Sequence, residues 1–378
     1  MGWGRGALSV GFFMFDGAEL ATFSAMKDRA SEIAEQIVAS GIAPACAVAA
    51  GIRRGDRWSV VAGGSQSFFD LASLTKPMTA VAVAESGLDA RRPLGDFVPE
   101  LAGTATGPVP IELLLAHRAG LRATYPIYAP LVAGGEVDRA RALWTLANAR
   151  RPEAIGPCPL EGFAPLYSDE GYVLAGEALA RFTGARDAGE AVEQLVVAPL
   201  GLSGQLGTAR ALEAHGIALA GCAAPTEDVG WRGGVVRGRV HDEVAWALTG
   251  SGGSGHAGMF GTAAAVLRFA CDVRDRMRAG PELSWLVRER AGGTLRAGFD
   301  GKSPEGSSAG TRMGPRAFGH LGFTGTSLWI DPDAEIAVVL LTNRVHPTRD
   351  HRAIRSARPA AHDALFDLAL SLSDQSRS

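Results

Sequence analysis

A serine is followed three residues later by a lysine in Ser73-Leu74-Thr75-Lys76, just ahead of a stretch, Met78 to Ala84, that is apolar on every side. Such a stretch reads as a buried helix with Ser73 at its start, and Pro77 is tolerated in its first turn. Residues three apart share a helix face, so the Lys76 amine can reach the Ser73 hydroxyl. Burial lowers the pKa of an amine. A neutral amine can then take the hydroxyl proton, whereas a charged one steadies the alkoxide. The helix N-terminus adds positive potential, and the N–H of Ser73 is a natural oxyanion donor. Alone the pattern is weak, because Ser73 could be a helix cap and Lys76 a surface residue. A lysine so near a buried helix is unusual, which favours the chemistry.

Two further groups complete a possible site. Tyr167-Ser168-Asp169 follows a Pro/Gly-rich loop and directly precedes a helix starting near Glu170. Ser168 or Asp169 can cap that helix, while Tyr167 can carry a proton near Ser73, its phenol pKa lowered by a cationic neighbour. Gly319-His320-Leu321-Gly322-Phe323-Thr324-Gly325 falls on an expected strand. Glycines at 322 and 325 let a ligand approach the backbone. A substrate could pair with this edge, with the Phe323 N–H as second oxyanion donor.

In order and spacing these elements resemble the class C β-lactamase-related serine hydrolases, whose S-x-x-K, Y-x-N and K/H-x-G motifs match Ser73 and Lys76, Tyr167, and His320 and Gly322. Flanking text at Leu113 to Leu121, Tyr167 to Gly176, Gly255 to Thr262 and Leu340 to Arg344 is similar too, so the resemblance spans roughly residues 40 to 345. It implies an acyl-enzyme mechanism with Ser73, Lys76 and Tyr167 catalytic, the N–H groups of Ser73 and Phe323 as oxyanion hole, and Asp169, His320 and Gly322 binding substrate. No metal or organic cofactor is implied. Two departures matter. Asp169 stands where Asn is usual, and an anion there favours charged Lys76, which points to Tyr167 as the working base. His320-Leu321 replaces Lys-Thr, removing a cation and a hydroxyl that bind a substrate carboxylate. Arg312 or Arg316 could restore the cation. The expected substrate is a small ester or amide, with a D-peptide or β-lactam next. The rival reading is a penicillin-binding or sensor protein of the same fold that acylates once and stops.

The elements that must position these groups follow from hydrophobic pattern. Thr22 to Ser40 reads as an amphipathic helix. Ala45 to Ile52 and Trp58 to Ala62 read as strands joined by a turn at Arg53-Arg54-Gly55-Asp56, where an adhesion tripeptide is the poorer reading. Helices are expected at Pro108 to His117, Asp138 to Ala149, Glu170 to Phe182, Ala188 to Leu195 and Thr262 to Met277, and an extended surface excursion at Trp231 to Gly255. Strands return at Ala317 to Phe323, Ser327 to Ile330 and Ile336 to Thr342, before a closing helix from Asp363 to Ser371. The expectation is therefore an α+β fold of the β-lactamase/transpeptidase type. One antiparallel sheet is built from both chain ends (21–68 and 316–378) with flanking helices, a mainly helical region spans 69–315, and the site lies in the cleft between them. Residues 1–20 read as an extension.

Composition sets the outer limits. The 378 residues are 47% hydrophobic and 20% charged with a net charge of −3, an ordinary globular balance that gives no case for nucleic acid or an anionic membrane. No apolar run is long enough for a membrane-spanning helix. The short run Ala7 to Phe15 ends at Asp16 without a clear cleavage site, which favours a cytoplasmic location over export to the periplasm. Four scattered cysteines read as reduced thiols. Gly306-Ser307-Ser308-Ala309-Gly310 fits a nucleophile-elbow pattern but lacks the strand and helix that motif needs. His241 with His256, or His346 with His351, lack metal-ligand spacing. No phosphate loop or dinucleotide fingerprint occurs.

Overall fold

The computed structural model describes residues 17–372; the first sixteen residues, which hold most of the expected extension, lie outside that range. In chain order the framework is α1 (Gly17–Ala39), β1 (Cys46–Arg54), β2 (Arg57–Gly64), α2 (Thr75–Ser86), α3 (Asp169–Thr183), α4 (Ala263–Ala279), β3 (Phe318–Leu321), β4 (Ser327–Asp331), β5 (Ile336–Thr342) and α5 (Ile354–Ser371). Both chain ends feed one antiparallel sheet in the order β2-β1-β5-β4-β3, with the two-residue strand Asp300–Gly301 at its edge. The β1–β5 register runs from Cys46 opposite Thr342 to Ile52 opposite Ile336. The hairpin between β1 and β2 turns at Gly55, whose φ of +57° suits glycine.

Side chains alternate across this sheet, and both faces are buried. On β1 and β5, Val48, Ala50, Ile52, Val338 and Leu340 pack with Ala30, Ala34 and Leu365 of the terminal helices α1 and α5. Ala47, Ala49, Val339 and Leu341 face the other way, into the large core shared with α2, α3 and α4. Helix α1 approaches β2 closely because residue 63 is glycine: a Cβ there would lie 2.6 Å from the backbone carbonyl carbon of Ala30. Helix α5 begins nine residues before the expected Asp363, carrying Pro359 inside it.

Trp231 to Gly255 corrects an expectation. It is no surface excursion: Arg232, Val236, Val240 and His241 are buried, and a helix, Glu243–Thr249, lies within it. Its glycine-rich text reflects turns that fold it against the neighbourhood of Ser73. A small inner sheet, absent from the sequence reading, pairs the central strand Met259–Gly261 with Phe69–Asp70 on one side and Leu206–Thr208 on the other.

Candidate active site

Ser73 lies in a single 3-10 turn, Ala72–Leu74, that leads straight into α2. It does not cap the helix, since Leu74 holds that position without a side-chain bond. Ala72 has a φ of +47°, a left-handed conformation costly for an L-residue with a side chain. The buried Asp70 carboxylate holds it there by accepting the Ala72 N–H at 2.8 Å and the His241 N–H at 2.7 Å. Helix α2 is buried from Thr75 to Val83. Three contacts tie it to the Gly255–Gly261 stretch: Thr79 Oγ1 donates to Gly255 O (2.8 Å), Lys76 Nζ lies 3.4 Å from His256 O, and Met259 N–H donates to Thr75 Oγ1 (3.3 Å).

Lys76 is wholly buried, with Nζ 2.9 Å from Ser73 Oγ and 2.6 Å from Asp169 Oδ1. Burial pushes its pKa down, but Asp169 and Tyr167 more than compensate, so it is held above the ordinary lysine value. The ammonium sits 4.9 Å from the Tyr167 ring centroid, and the Tyr167 hydroxyl interacts with both Lys76 and Ser73. The structure thus brings the three expected catalytic residues together.

The phenol departs from expectation. Burial is the largest influence on Tyr167 and raises its pKa, Asp169 raises it further, and the lowering by Lys76 does not offset them. Tyr167 is therefore protonated at rest. Its ring is fixed by stacking on His117, with centroids 4.6 Å apart. The Nδ1 of His117 accepts the Ser168 N–H at 2.9 Å, which places the ring proton on Nε2. Burial, with Lys76 and His320 next, holds the His117 pKa well below its usual value. Ser168 caps α3 through Gly171 N–H, and Asp169 occupies the first helical position, where helix polarity favours an anion.

The third element lies at the sheet edge. Asp300–Gly301 pairs with Phe318 and Gly319, leaving His320 and Leu321 beyond the two-residue ladder. His320 is 4% exposed, and its Nδ1–H donates to Leu321 O (2.9 Å). Burial, reinforced by Lys76, pushes its pKa down to about 3, so it is neutral at pH 7. Phe323 was expected on the strand but lies in the turn after it, because β3 ends at Leu321 and Gly325 N–H closes onto Gly322 O (3.1 Å). Two threonines bolt this turn to the chain just ahead of Ser73: Thr324 Oγ1 donates to Asp70 O (2.8 Å) and Thr326 Oγ1 to Leu71 O (3.0 Å). Gly322 is needed for this closeness, since a Cβ would lie 2.7 Å from Leu71 O.

Neither arginine proposed to restore a cation is at the site. Arg312 pairs with Asp367 and Arg316 with Asp333, on the α5 and β4–β5 side of the sheet. Sequence reasoning missed the arginines that do reach the turn. Arg344 donates to Phe323 O from Nε (2.8 Å) and Nη2 (2.6 Å), its guanidinium 4.5 Å from the half-exposed Phe323 ring. Arg358 of α5 donates to Gly322 O (2.8 Å) and Thr326 O (3.0 Å). Arg344 closes one of the family-like flanks and His117 lies in another, which was the available signal; Arg358 carried none.

The remaining histidines are tied elsewhere. His256 bridges Asp242 (2.8 Å) and Ser254 (2.9 Å), and His241 meets Glu227 at 3.2 Å. His346 Nδ1–H donates to Thr226 O (2.8 Å). The Gly306–Gly310 loop packs on α5, with Ser308 O accepting from His362 Nδ1 (2.5 Å) and no strand-to-helix elbow. All four cysteines are free; burial pushes the Cys46 thiol up to about 12.

Comparison with known proteins adds the lineage. The family profile described as Beta-lactamase matches residues 33–362. A protein of Escherichia coli (strain K12) named "Putative D-alanyl-D-alanine carboxypeptidase" is 27% identical over 312 residues, covering 74% of this chain and 70% of its own length. The alignment to the same-named protein of Escherichia coli O157:H7 covers only 57% of that protein. Among solved structures, a beta-lactamase from Sulfitobacter sp. EE-36 superposes with TM-score 0.64 at 20% identity, covering 92% of this chain and 99% of the other. EstCE1, a hydrolase with promiscuous acyltransferase activity, gives TM-score 0.64 at 19% identity, covering 92% and 100%. These two likenesses establish the fold.

Proposed function

The chain belongs to the beta-lactamase family of serine hydrolases, and on that premise we propose that it hydrolyses a small ester or amide lacking a carboxylate through an acyl-enzyme on Ser73. The observation that carries this is the wholly buried Lys76 ammonium 2.9 Å from Ser73 Oγ, with the Tyr167 hydroxyl against both.

Ser73 Oγ attacks the substrate carbonyl, and the N–H groups of Ser73 and Phe323 receive the oxyanion. Lys76 stays charged, held by Asp169, and lowers the cost of negative charge on Oγ. Because Tyr167 is protonated at rest, it acts as a relay rather than a stored base: it takes the Ser73 proton as its own passes to the leaving oxygen or nitrogen. Charge is conserved and no free phenolate forms. Water then attacks the acyl-enzyme, and the same relay works in reverse.

Substrate class follows from charge. His320 is neutral, Leu321 has no hydroxyl, and Arg344 and Arg358 are occupied by backbone carbonyls. A substrate carboxylate, as in a β-lactam or D-alanyl peptide, lacks the charge-assisted bond worth about 1.5–3 kcal/mol, roughly 10- to 100-fold. This favours an esterase-like or amine-bearing D-amino-acid amide substrate, with weak β-lactam turnover.

The test is intact-mass analysis with a fluorophosphonate and a penicillin, alongside turnover of a short-chain nitrophenyl ester. Wild type should add one fluorophosphonate and turn the ester over continuously, and Ser73→Ala should do neither. Full ester turnover by Ser73→Ala would remove the proposal. A burst that stops after one equivalent would instead favour the non-turnover receptor.

A further inference from the structure

The feature that the catalytic scheme leaves unexplained is a buried cation. Arg358 is 7% exposed, and among the described residues no carboxylate pairs with it. The charges that act on it, Arg344 and Arg355, are both repulsive, and its Nε has no partner. Burial lowers its pKa first and those arginines next, to about 10, so it remains charged at pH 7. Burying an unpaired charge is costly. The apolar surroundings of α5, with Ile354, Ala361 and Leu365 in the core, would accept a hydrophobic residue instead.

What Arg358 touches gives the charge a use. Its Nη2 donates to Gly322 O, the carbonyl of the peptide unit whose N–H belongs to Phe323. In a planar trans peptide the C=O and N–H point in opposite directions. With the carbonyl held by Arg358 and by the Gly325 N–H, the Phe323 N–H is directed to the opposite side of the peptide. Arg344 takes the next carbonyl, Phe323 O, and so fixes the other side of the same residue. The threonine bolts to Asp70 and Leu71 hold the turn in register with Ser73.

We propose that Arg358 is a positioning residue for the oxyanion hole, aiming the Gly322–Phe323 peptide and polarising it so that its N–H is a stronger donor to the tetrahedral oxyanion. A guanidinium bonded to the carbonyl increases the positive character of the N–H across the same peptide. Its net charge is buried one peptide unit from that N–H, in surroundings that screen it poorly. Because the contact strengthens the transition state and not ground-state binding, its loss appears in kcat rather than KM. This inference rests on the serine-hydrolase reading above.

Arg358→Met keeps the apolar stem and removes both donor and charge; Arg358→Lys keeps the charge. The readouts are kcat and KM for a short-chain nitrophenyl ester, the inhibition constant of an alkylboronic acid that forms a tetrahedral anion on the serine, and thermal unfolding. Arg358→Met should lose about 10- to 100-fold in kcat with KM within about 2-fold. Boronate affinity should fall in parallel, and Arg358→Lys should recover part of both. A folded Arg358→Met with unchanged kcat and boronate affinity overturns the inference, as does a rise in KM at constant kcat. If Arg358→Met does not fold, Arg358→Gln carries the same comparison. Ester turnover that survives in Ser73→Ala would instead mark failure of the underlying reading.

Discussion

Replacing Asp169 by Asn tests the electrostatics on which the mechanism depends. In the wild type the Lys76 ammonium is buried and bonded to Asp169 at 2.6 Å. Two unit charges at that separation attract by about 6 kcal/mol at an effective dielectric of 20. Part of this is returned, because the Asp169 side chain is 27% exposed and an Asn carbonyl still accepts a hydrogen bond. We expect Asp169→Asn to cost about 2–3 kcal/mol of stability at pH 7, a fall in Tm of roughly 2–4 °C for a chain of this length. The sign with pH is distinctive. In the wild type the Lys76 pKa is raised, so its contribution is fully present through the neutral range and is lost only as pH climbs from the unfolded-state lysine value to the higher folded-state one. In Asp169→Asn the main raising influence is gone, burial dominates, and the lysine pKa falls. The native protein then binds that proton less tightly than the unfolded chain, so stability rises with pH. The Tm gap between the two proteins should therefore narrow from pH 6 to pH 9. Over the same range kcat/KM of the variant should gain a limb that climbs with pH as neutral amine becomes available, a limb absent from the wild type. Parallel Tm curves and superimposable pH–rate profiles would refute the argument.

Two further outcomes follow from neighbouring residues. Glu170 is 2% exposed with neither carboxylate oxygen partnered, and burial, then Asp169, pushes its pKa up from 4.5 to about 8. Wild-type stability should fall as pH rises between those values, and Glu170→Gln should abolish that slope and gain up to about 4 kcal/mol at pH 9, read from denaturant midpoints at pH 5 and pH 9. Gly322→Ala would set a methyl against Leu71 O, a backbone atom that cannot swing aside. We expect it to lose at least about 100-fold in ester turnover, while Gly103→Ala, where a Cβ meets nothing within 4 Å, keeps full activity.

How far the site was legible depended on whether a residue's role is local. Lys76 and Ser73 are one helical turn apart, so spacing alone carried their contact. The strand β5 was legible to the residue, Ile336 to Thr342, because a continuous apolar run after Asp331-Pro332-Asp333 admits little else. Helix α5 was half hidden, because Pro359 and the arginines before it mask its apolar stripe. Phe323 was misassigned to a strand because an aromatic between glycines has strand composition, while the turn is made by long-range bonds from Thr324 and Thr326 to residues 254 and 255 positions away. The excursion at Trp231 to Gly255 failed for a related reason: glycine content signals turns but does not say what the turns enclose. The direction of the Tyr167 shift was also beyond reach, because it balances burial against two opposite charges and burial is a tertiary quantity.

The two departures from the expected motifs act in the same direction. With Lys at 320 and Asn at 169, the floor of the cleft would hold two amines and no counterion. Here Lys76 meets Asp169, and position 320 holds a histidine that burial and Lys76 keep neutral. The cleft floor thus has no net charge from these three side chains, and the pull on an anionic substrate is removed at both positions. A cation introduced at 320 alone would be buried and left without a partner, since Asp169 is committed to Lys76, and it would face the same field that already depresses His320. Asp169 and His320 therefore form one electrostatic arrangement: the carboxylate keeps the lysine charged for alkoxide stabilisation, and the neutral imidazole keeps the cleft receptive to substrates without a carboxylate. A chain with only one of these changes would carry an unmatched lysine beside the nucleophile: at 320 if only residue 169 had changed, at 76 if only residue 320 had.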